Sequence, residues 1–392
     1  MTLSGQAGPF DTDPLHKDVS KMIVINARFL TQELRGVQRF AEQICLALKT
    51  LRNDLVFVSP LGIRMEETAR KLGTQVIGRN SGHLWEQLDL PAYLHRNGRP
   101  WLLSLCATAP LFYSRQVVTH HDITYVRHPE SYSLAFRTAY RRMTPIMLRK
   151  AHTLITVSEF SKREIGEFYG VPSARILVVP NAVSGAFQPH RLEIPRPYLL
   201  AVSSPSAHKN FARMIEAFLR LRGNHPEVEL RIVGGANGIF ADPSLQQQAA
   251  GDPRIHFLGR LTDAQLIDQY QHASAFVFPS LYEGFGIPPL EAQACGCPVL
   301  AANAASIPEV LQSSALYFDP LDVDQMSRAM ALVLDNPSIG EHLRTLGLRN
   351  VARFSWQASA RLISDRLDTL QNGRTPSHTT TKGAEQRARE HQ

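Results

Sequence analysis

The sequence predicts an α/β protein built from two doubly wound domains, and three observations predict it. Short runs rich in Val, Ile and Leu alternate with helical patterns along most of the chain, as in parallel sheets covered by helices on both faces. The alternation stops in the segment 184–197, which holds Pro189, Pro195 and Pro197, and then begins again. The length of 392 residues suits two domains, and a hydrophobic fraction of 44% is ample for two packed cores.

Taken in order, residues 1–21 are polar and aperiodic and are expected to be disordered. The first domain is expected over 22–185. Its strands are read at 22–26, 55–58, 75–77, 101–105, 117–120, 153–157 and 176–181. Between them lie helical patterns at 37–48, at 84–94 with Trp85 and Leu88 on one core face, and at 132–150, where Pro145 is expected to kink or split the helix. Ser158 followed by Glu159 starts a further helix with a polar cap. A linker is expected over 186–197 and a second domain over 198–355. Its strands fall at 198–202, 230–235, 255–259, 275–278, 297–301 and 316–320. Its helices fall at 211–221, 261–272 and 290–295, with more through 370. Residues 372–392 are again polar, and disorder is expected.

The chemistry concentrates in Glu283-Gly-Phe-Gly-Ile-Pro-Pro-Leu-Glu291, between one strand and the next helix. Ligands of open α/β sheets bind outside the carboxyl ends of the strands, where this loop lies. Gly284 and Gly286 lack a Cβ, so backbone N–H groups can approach a bulky anion, and the following helix points its free N–H groups and partial positive charge at the same place. That suits a diphosphate. Glu283 and Glu291 have seven residues between them, and as acceptor-only groups they suit the hydroxyls of a sugar and a ribose. A plain turn with a capping Glu remains the alternative.

This run resembles the E-x7-E signature of glycosyltransferase family 4, and the resemblance continues elsewhere over about residues 22–370. Arg35-Gly36-Val37-Gln38-Arg39 is similar to the family's glycine loop, with one glycine where many members have two. Arg39 is a candidate phosphate contact there, and an exposed, solvated arginine is the open alternative. The valine-rich strand ending in His121-Asp122, followed by Tyr125, resembles the family's HD loop, and His121, not His120, aligns with the active-site histidine. Val157-Ser-Glu-Phe-Ser161 and Ala304–Val310 are also similar to family segments, and Ser306 is a candidate for reaching the base. Where members carry an Arg-Lys pair on the donor diphosphate, this chain has His208-Lys209, a conditional charge in place of a permanent one.

The resemblance implies a GT-B fold, two facing Rossmann-like domains with an inter-domain cleft, in which the helix over 356–371 crosses back to the first domain. It implies a retaining glycosyltransferase with a nucleotide-sugar as co-substrate, no cofactor and no metal. The implied roles are diphosphate neutralisation by Lys209 and His208, sugar orientation by Glu283 and His121, ribose binding by Glu291 and loop contacts from Gly284, Phe285 and Gly286. Gly36, Arg39, Asp122 and Tyr125 fall on the glycine-loop and acceptor side. Likeness to bacterial polysaccharide mannosyltransferases makes GDP-mannose the first expected donor.

Composition narrows the partners. No apolar run reaches the roughly 18 residues of a membrane span. Cys45, Cys106, Cys295 and Cys297 form no C-x-x-C pair and read as reduced thiols of a cytoplasmic protein. The net charge of +7 suggests an anionic partner. The basic, aromatic-rich stretch 132–150 suggests contact with an anionic membrane surface and a polyprenyl-diphosphate-linked glycan acceptor. A nucleotide-sugar epimerase or phosphorylase of the same fold, and a non-catalytic basic protein binding nucleic acid, are the competing classes. The second fits only residues 136–150.

Overall fold

In the computed structural model, residues 22–190, 197–202, 206–234, 249 and 251–373 are described. The disorder expected at 1–21 and along the polar tail, and the middle of the expected linker, lie outside those residues.

The first sheet contains β1 (Ile23–Asn26), β2 (Leu55–Ser59), β3 (Gln75–Val76), β4 (Trp101–Ser104), β5 (Gln116–Thr119), β6 (Thr153–Thr156) and β7 (Ile176–Val178), in the order β3-β2-β1-β4-β5-β6-β7. The second contains β8 (Tyr198–Val202), β9 (Glu229–Val233), β10 (Ile255–Gly259), β11 (Ala275–Phe278), β12 (Val299–Ala302) and β13 (Leu316–Phe318), in the order β10-β9-β8-β11-β12-β13. Pairing is parallel in both, for example Val24 with Val56 on one side and Leu102 on the other. Strands β1, β5, β6, β11 and β12 are buried on both faces, which is why they read as near-continuous apolar runs. Strand order reverses at β1/β4 in one sheet and at β8/β11 in the other, and a reversal opens a crevice at the carboxyl ends.

The connecting helices of the first half are α1 (Gly36–Leu51), α2 (Glu66–Leu72), α3 (Gly82–Leu84), α4 (Leu90–Arg96), α5 (Thr124–Arg127), α6 (Leu134–Lys150) and α7 (Glu159–Tyr169). Those of the second half are α8 (Phe211–Leu219), α9 (Asp263–His272), α10 (Ile287–Ala294), α11 (Ile307–Leu311), α12 (Val323–Asp335), α13 (Pro337–Val351) and α14 (Trp356–Gln371). Helix α14 returns to the first half and packs along α1. Its Trp356 ring meets Phe40 edge-on at 6.1 Å, and Ala360, Ile363 and Leu367 are fully buried. Arg52, after α1, binds Ser364 and Asp368 of α14. One hydrophobic core therefore runs through both halves.

Three local readings change. The helix expected at 84–94 is broken by a π turn, Trp85–Asp89, between α3 and α4. Widening the turn rotates Leu88 away from Trp85, so Trp85 is buried, its Nε1 donating to the Ile77 carbonyl at 2.8 Å, whereas Leu88 is exposed. Pro145 lies inside α6 without dividing it. The carbonyl that loses its N–H partner there belongs to Arg141, an exposed residue, where water can serve it. Helix α10 starts at Ile287 and not at 290, because Gly286 at φ +93° makes the sharp entry and both prolines fit the first turn.

Candidate active site

The loops that carry the expected residues leave the carboxyl ends of both sheets and meet. From the second sheet come the segment 206–210 after β8, the loop 279–286 after β11 and the segment 303–306 after β12. From the first come His120–Asp122 after β5 and Ser158 after β6.

At the centre, Lys209 Nζ donates to Glu283 Oε1 at 2.7 Å, with both side chains mostly shielded from water. The residues expected to meet the sugar and the diphosphate thus pair with each other. Ser306 Oγ donates to the Glu283 carbonyl at 2.9 Å. Its hydroxyl proton holds the loop, which leaves the oxygen lone pairs and the backbone of Ser306 for any contact with a base. Phe285 likewise turns from the cleft into the core, edge-on to Phe354 at 5.5 Å, so only its backbone borders the site.

Gly284 has a further reason to lack a side chain. A Cβ there would lie 2.8 Å from Asp122 Oδ2 and 3.2 Å from the His121 carbonyl oxygen. The backbone of the E-x7-E loop therefore lies against the Asp122 side chain and the His121 carbonyl of the HD loop, an approach that a side chain at 284 would obstruct. Asp122 is itself held, its Oδ1 accepting from Thr124 N at 2.8 Å and Thr124 Oγ1 at 2.6 Å. Gly36 opens α1 with nothing near where a Cβ would stand, so no packing demands a glycine there.

The two histidines of the HD strand differ. His120 is buried between Tyr125 and Tyr169, and burial pushes it down to about 4. His121 is half-buried, edge-on to Phe40 at 5.0 Å, with Nε2 3.3 Å from the Leu105 carbonyl. Burial lowers its pKa too, against the opposing charge of Asp122. A carbonyl can only accept, so in the neutral ring Nε2 carries the hydrogen and Nδ1 is left as an acceptor. Tyr125 does not face the cleft. Its hydroxyl bonds Tyr169 and its ring sits among Tyr132, Phe136 and Tyr140.

His208 sits beside the first domain, its Nδ1 2.9 Å from Ser131 Oγ and its ring 5.6 Å from that of His128. Burial, then the charges of Lys209 and His128, push it down to about 3. It is therefore neutral at physiological pH, without the conditional charge expected of it.

Glu291 is buried on α10. Tyr270 Oη donates to its Oε2 at 3.4 Å, and burial raises its carboxyl to about 7, partly offset by nearby Arg39. Arg39 is not a solvated helix arginine. Its guanidinium grips Asp263 with two bonds of 3.0 Å, joining α1 to α9 across the cleft.

Two family models match the chain: "Glycosyltransferase Family 4" over residues 34–186 and "Glycosyl transferases group 1" over 186–348. The O-antigen chain mannosyltransferase B of Escherichia coli is 32% identical over 300 residues, covering 69% of this chain and 78% of its own. This chain belongs to glycosyltransferase family 4. The O-antigen chain mannosyltransferase RfbU of Salmonella typhimurium is also 32% identical, over 66% of this chain and 71% of its own. Among solved structures, HepE from Anabaena in complex with UDP and glucose superposes with a TM-score of 0.70 at 17% identity, over 89% of this chain and 99% of that one. The fold is GT-B, and the protein is a glycosyltransferase.

Several members of this glycosyltransferase's site escape a reading by motif. Asp263 opens a helix whose capping box, Thr262 with Gln265, is legible, but nothing in the sequence pairs it with Arg39, 224 positions earlier. Ser131 and Tyr270 carry no motif either. Ser158 and Ser161 read as a helix start within a run similar to a family segment, but nothing in the sequence shows that both reach the E-x7-E loop.

Proposed function

We propose that this enzyme transfers a hexose, mannose from GDP-mannose in the first instance, to a hydroxyl of a lipid-linked or growing glycan in bacterial polysaccharide synthesis, with retention at the anomeric carbon. The observation that carries the reading is the shielded Lys209–Glu283 pair at the mouth of the glycine loop, with a second carboxylate, Glu291, one helical stretch deeper. That order, a paired carboxylate in the loop and a buried one on the helix that follows, suits a leaving diphosphate between a sugar and a ribose. Lys209 and the amino end of α10 take up the charge that develops on the leaving group. Glu283 exchanges Lys209 for sugar hydroxyls, and Glu291 accepts from the ribose diol. His121 offers Nδ1 to a sugar hydroxyl. The reading needs no metal ion, since positive charge comes from these groups. The names of the O-antigen relatives support mannose and a polysaccharide product.

The acceptor is proposed to be met at the inner face of the cytoplasmic membrane. No described helix is long and apolar enough to cross a membrane. Helix α6 carries five basic residues, Arg137, Arg141, Arg142, Arg149 and Lys150, and no acidic one. In the same domain, Phe112 is 83% exposed, and Leu84 and Leu88 are 63% and 56% exposed. The two apolar segments are tied together by Gln87, which bonds the Ala109 carbonyl and the Leu111 N–H. Exposed apolar side chains and unopposed cations in one domain suit an anionic bilayer.

A thermal-shift panel of GDP, UDP, dTDP and ADP tests the donor. A nucleotide at about 100 times its Kd stabilises the fold by about 2.7 kcal/mol. A shift with GDP alone supports GDP-mannose, and a shift with UDP alone replaces it. Sedimentation with anionic vesicles tests the membrane. The wild type should pellet at low salt, and Arg141→Ala with Arg142→Ala should not.

A further inference from the structure

The carbonyls on either side of Gly284 are held from opposite domains. The Glu283 carbonyl is held by Ser306 of its own domain at 2.9 Å. The Gly284 carbonyl accepts from Ser158 Oγ at 2.6 Å and Ser161 Oγ at 3.1 Å, both at the start of α7 in the first domain. Ser158 also accepts from Ser161 N at 3.0 Å, so one hydroxyl caps α7 and grips the loop at once. The contact is returned from the other side. Glu309, on α11, accepts from the Glu159 and Phe160 N–H groups at 2.7 and 2.8 Å, filling the first free donors of α7. Ser158, Ser161 and Ser306 are all buried.

These bonds fix the two successive peptide planes 283–284 and 284–285, and Glu283 stands at the amino end of the first. We propose that the amino end of α7 is a positioning clamp: Ser158 and Ser161, backed by Glu309, set the Glu283 loop in its working register only when the two domains are closed. Domain closure and alignment of the sugar-orienting carboxylate are then one event. An opened cleft leaves the Gly284 carbonyl without these partners and lets the loop relax, while the nucleotide half of the site, Lys209 and Glu291, stays intact on the second domain. Ser158, Ser161 and Glu309 are positioning residues, acting through Glu283. The inference rests on the transferase reading above.

The test uses full-length protein and hydrolysis of the donor sugar-nucleotide in the absence of acceptor, with calorimetry on the bare nucleoside diphosphate. Ser161→Ala keeps the Ser158 cap and removes one grip, and Ser161→Thr keeps the hydroxyl. Ser161→Ala should lower kcat about ten-fold with KM and nucleotide Kd within about two-fold. Ser161→Thr should recover most of kcat. Neither should move the thermal midpoint enough to explain the loss. Small-angle scattering supplies a readout independent of turnover: Glu309→Ala should expand the unliganded protein towards an open form. Wild-type kcat in Ser161→Ala, or equal loss in the alanine and threonine variants, overturns the clamp, as does unchanged scattering of Glu309→Ala. A wild type that neither binds nor hydrolyses any nucleotide-sugar overturns the transferase reading instead, and scattering then decides the clamp alone.

Discussion

Replacing Glu291 by glutamine separates what burial does to this carboxylate from what it does for a ligand. Burial holds the group near 7, against 4.5 for an ordinary glutamate. A carboxyl whose pKa is higher in the folded than in the unfolded chain favours folding while protonated. That contribution is fully present below about 4.5 and is lost as pH rises to about 7. Each unit of difference corresponds to about 1.36 kcal/mol, so ionising Glu291 costs about 3 kcal/mol of stability by pH 8. Glu291→Gln fills the same space without charge. Its stability relative to wild type should therefore rise by about that amount between pH 4.5 and 8, a gain of several degrees in the thermal midpoint. The nucleotide should show the opposite preference. A ribose diol donates hydrogen bonds, and only the ionised form accepts them on both oxygens. Wild-type affinity for the bare nucleoside diphosphate should rise as pH increases from 5.5 to about 7 and level off above. Glu291→Gln should bind more weakly and without that slope. Calorimetry and thermal melts across the range measure both. A flat wild-type affinity, or parallel stability profiles for the two proteins, would refute the assignment of Glu291 to the ribose.

Three further outcomes follow from the same geometry. Glu283→Ala releases Lys209 from its 2.7 Å partner, so bare nucleotide should bind as well as in wild type or better by calorimetry, while sugar transfer falls by two orders of magnitude or more, about 3 kcal/mol of barrier. Gly284→Ala places a methyl 3.2 Å from the His121 carbonyl and closer still to Asp122, forcing the HD and E-x7-E loops apart; steady-state kinetics should show kcat falling by more than about ten-fold while nucleotide still binds. Burial keeps His208 neutral down to about 3, so His208→Gln should leave the pH profile of nucleotide affinity between 5.5 and 8 unchanged; a profile that flattens in this variant would show that the ring ionises on the diphosphate.

The alternation of β-branched runs with amphipathic stretches is enough to place nearly every described strand, because a parallel strand buried on both faces must be apolar throughout. The loop between β11 and α10 was legible for a similar reason: glycines at a sharp entry, prolines in a first turn and carboxylates at fixed spacing are local requirements, met by adjacent residues. Local pattern misplaced Leu88, because a π turn differs from an α turn by one residue and both share the same residue types.

What the sequence determined by itself is the pair of doubly wound sheets, the family and the positions of Glu283, Glu291, Lys209 and His121. What only the tertiary structure decided is their state. His208 reads as a phosphate ligand by motif, but its ionisation depends on burial against Ser131 and His128, contributed by the other domain. Arg39 reads as either a phosphate contact or a solvated arginine, and the structure adds Asp263 from across the cleft. Gly284 looks like a residue that makes room for a ligand, and it makes room for Asp122. Pattern reports what a segment needs from its neighbours in the chain. Charge, protonation and alignment are set by neighbours in space, and for His208, Arg39 and Gly284 those lie on the facing domain.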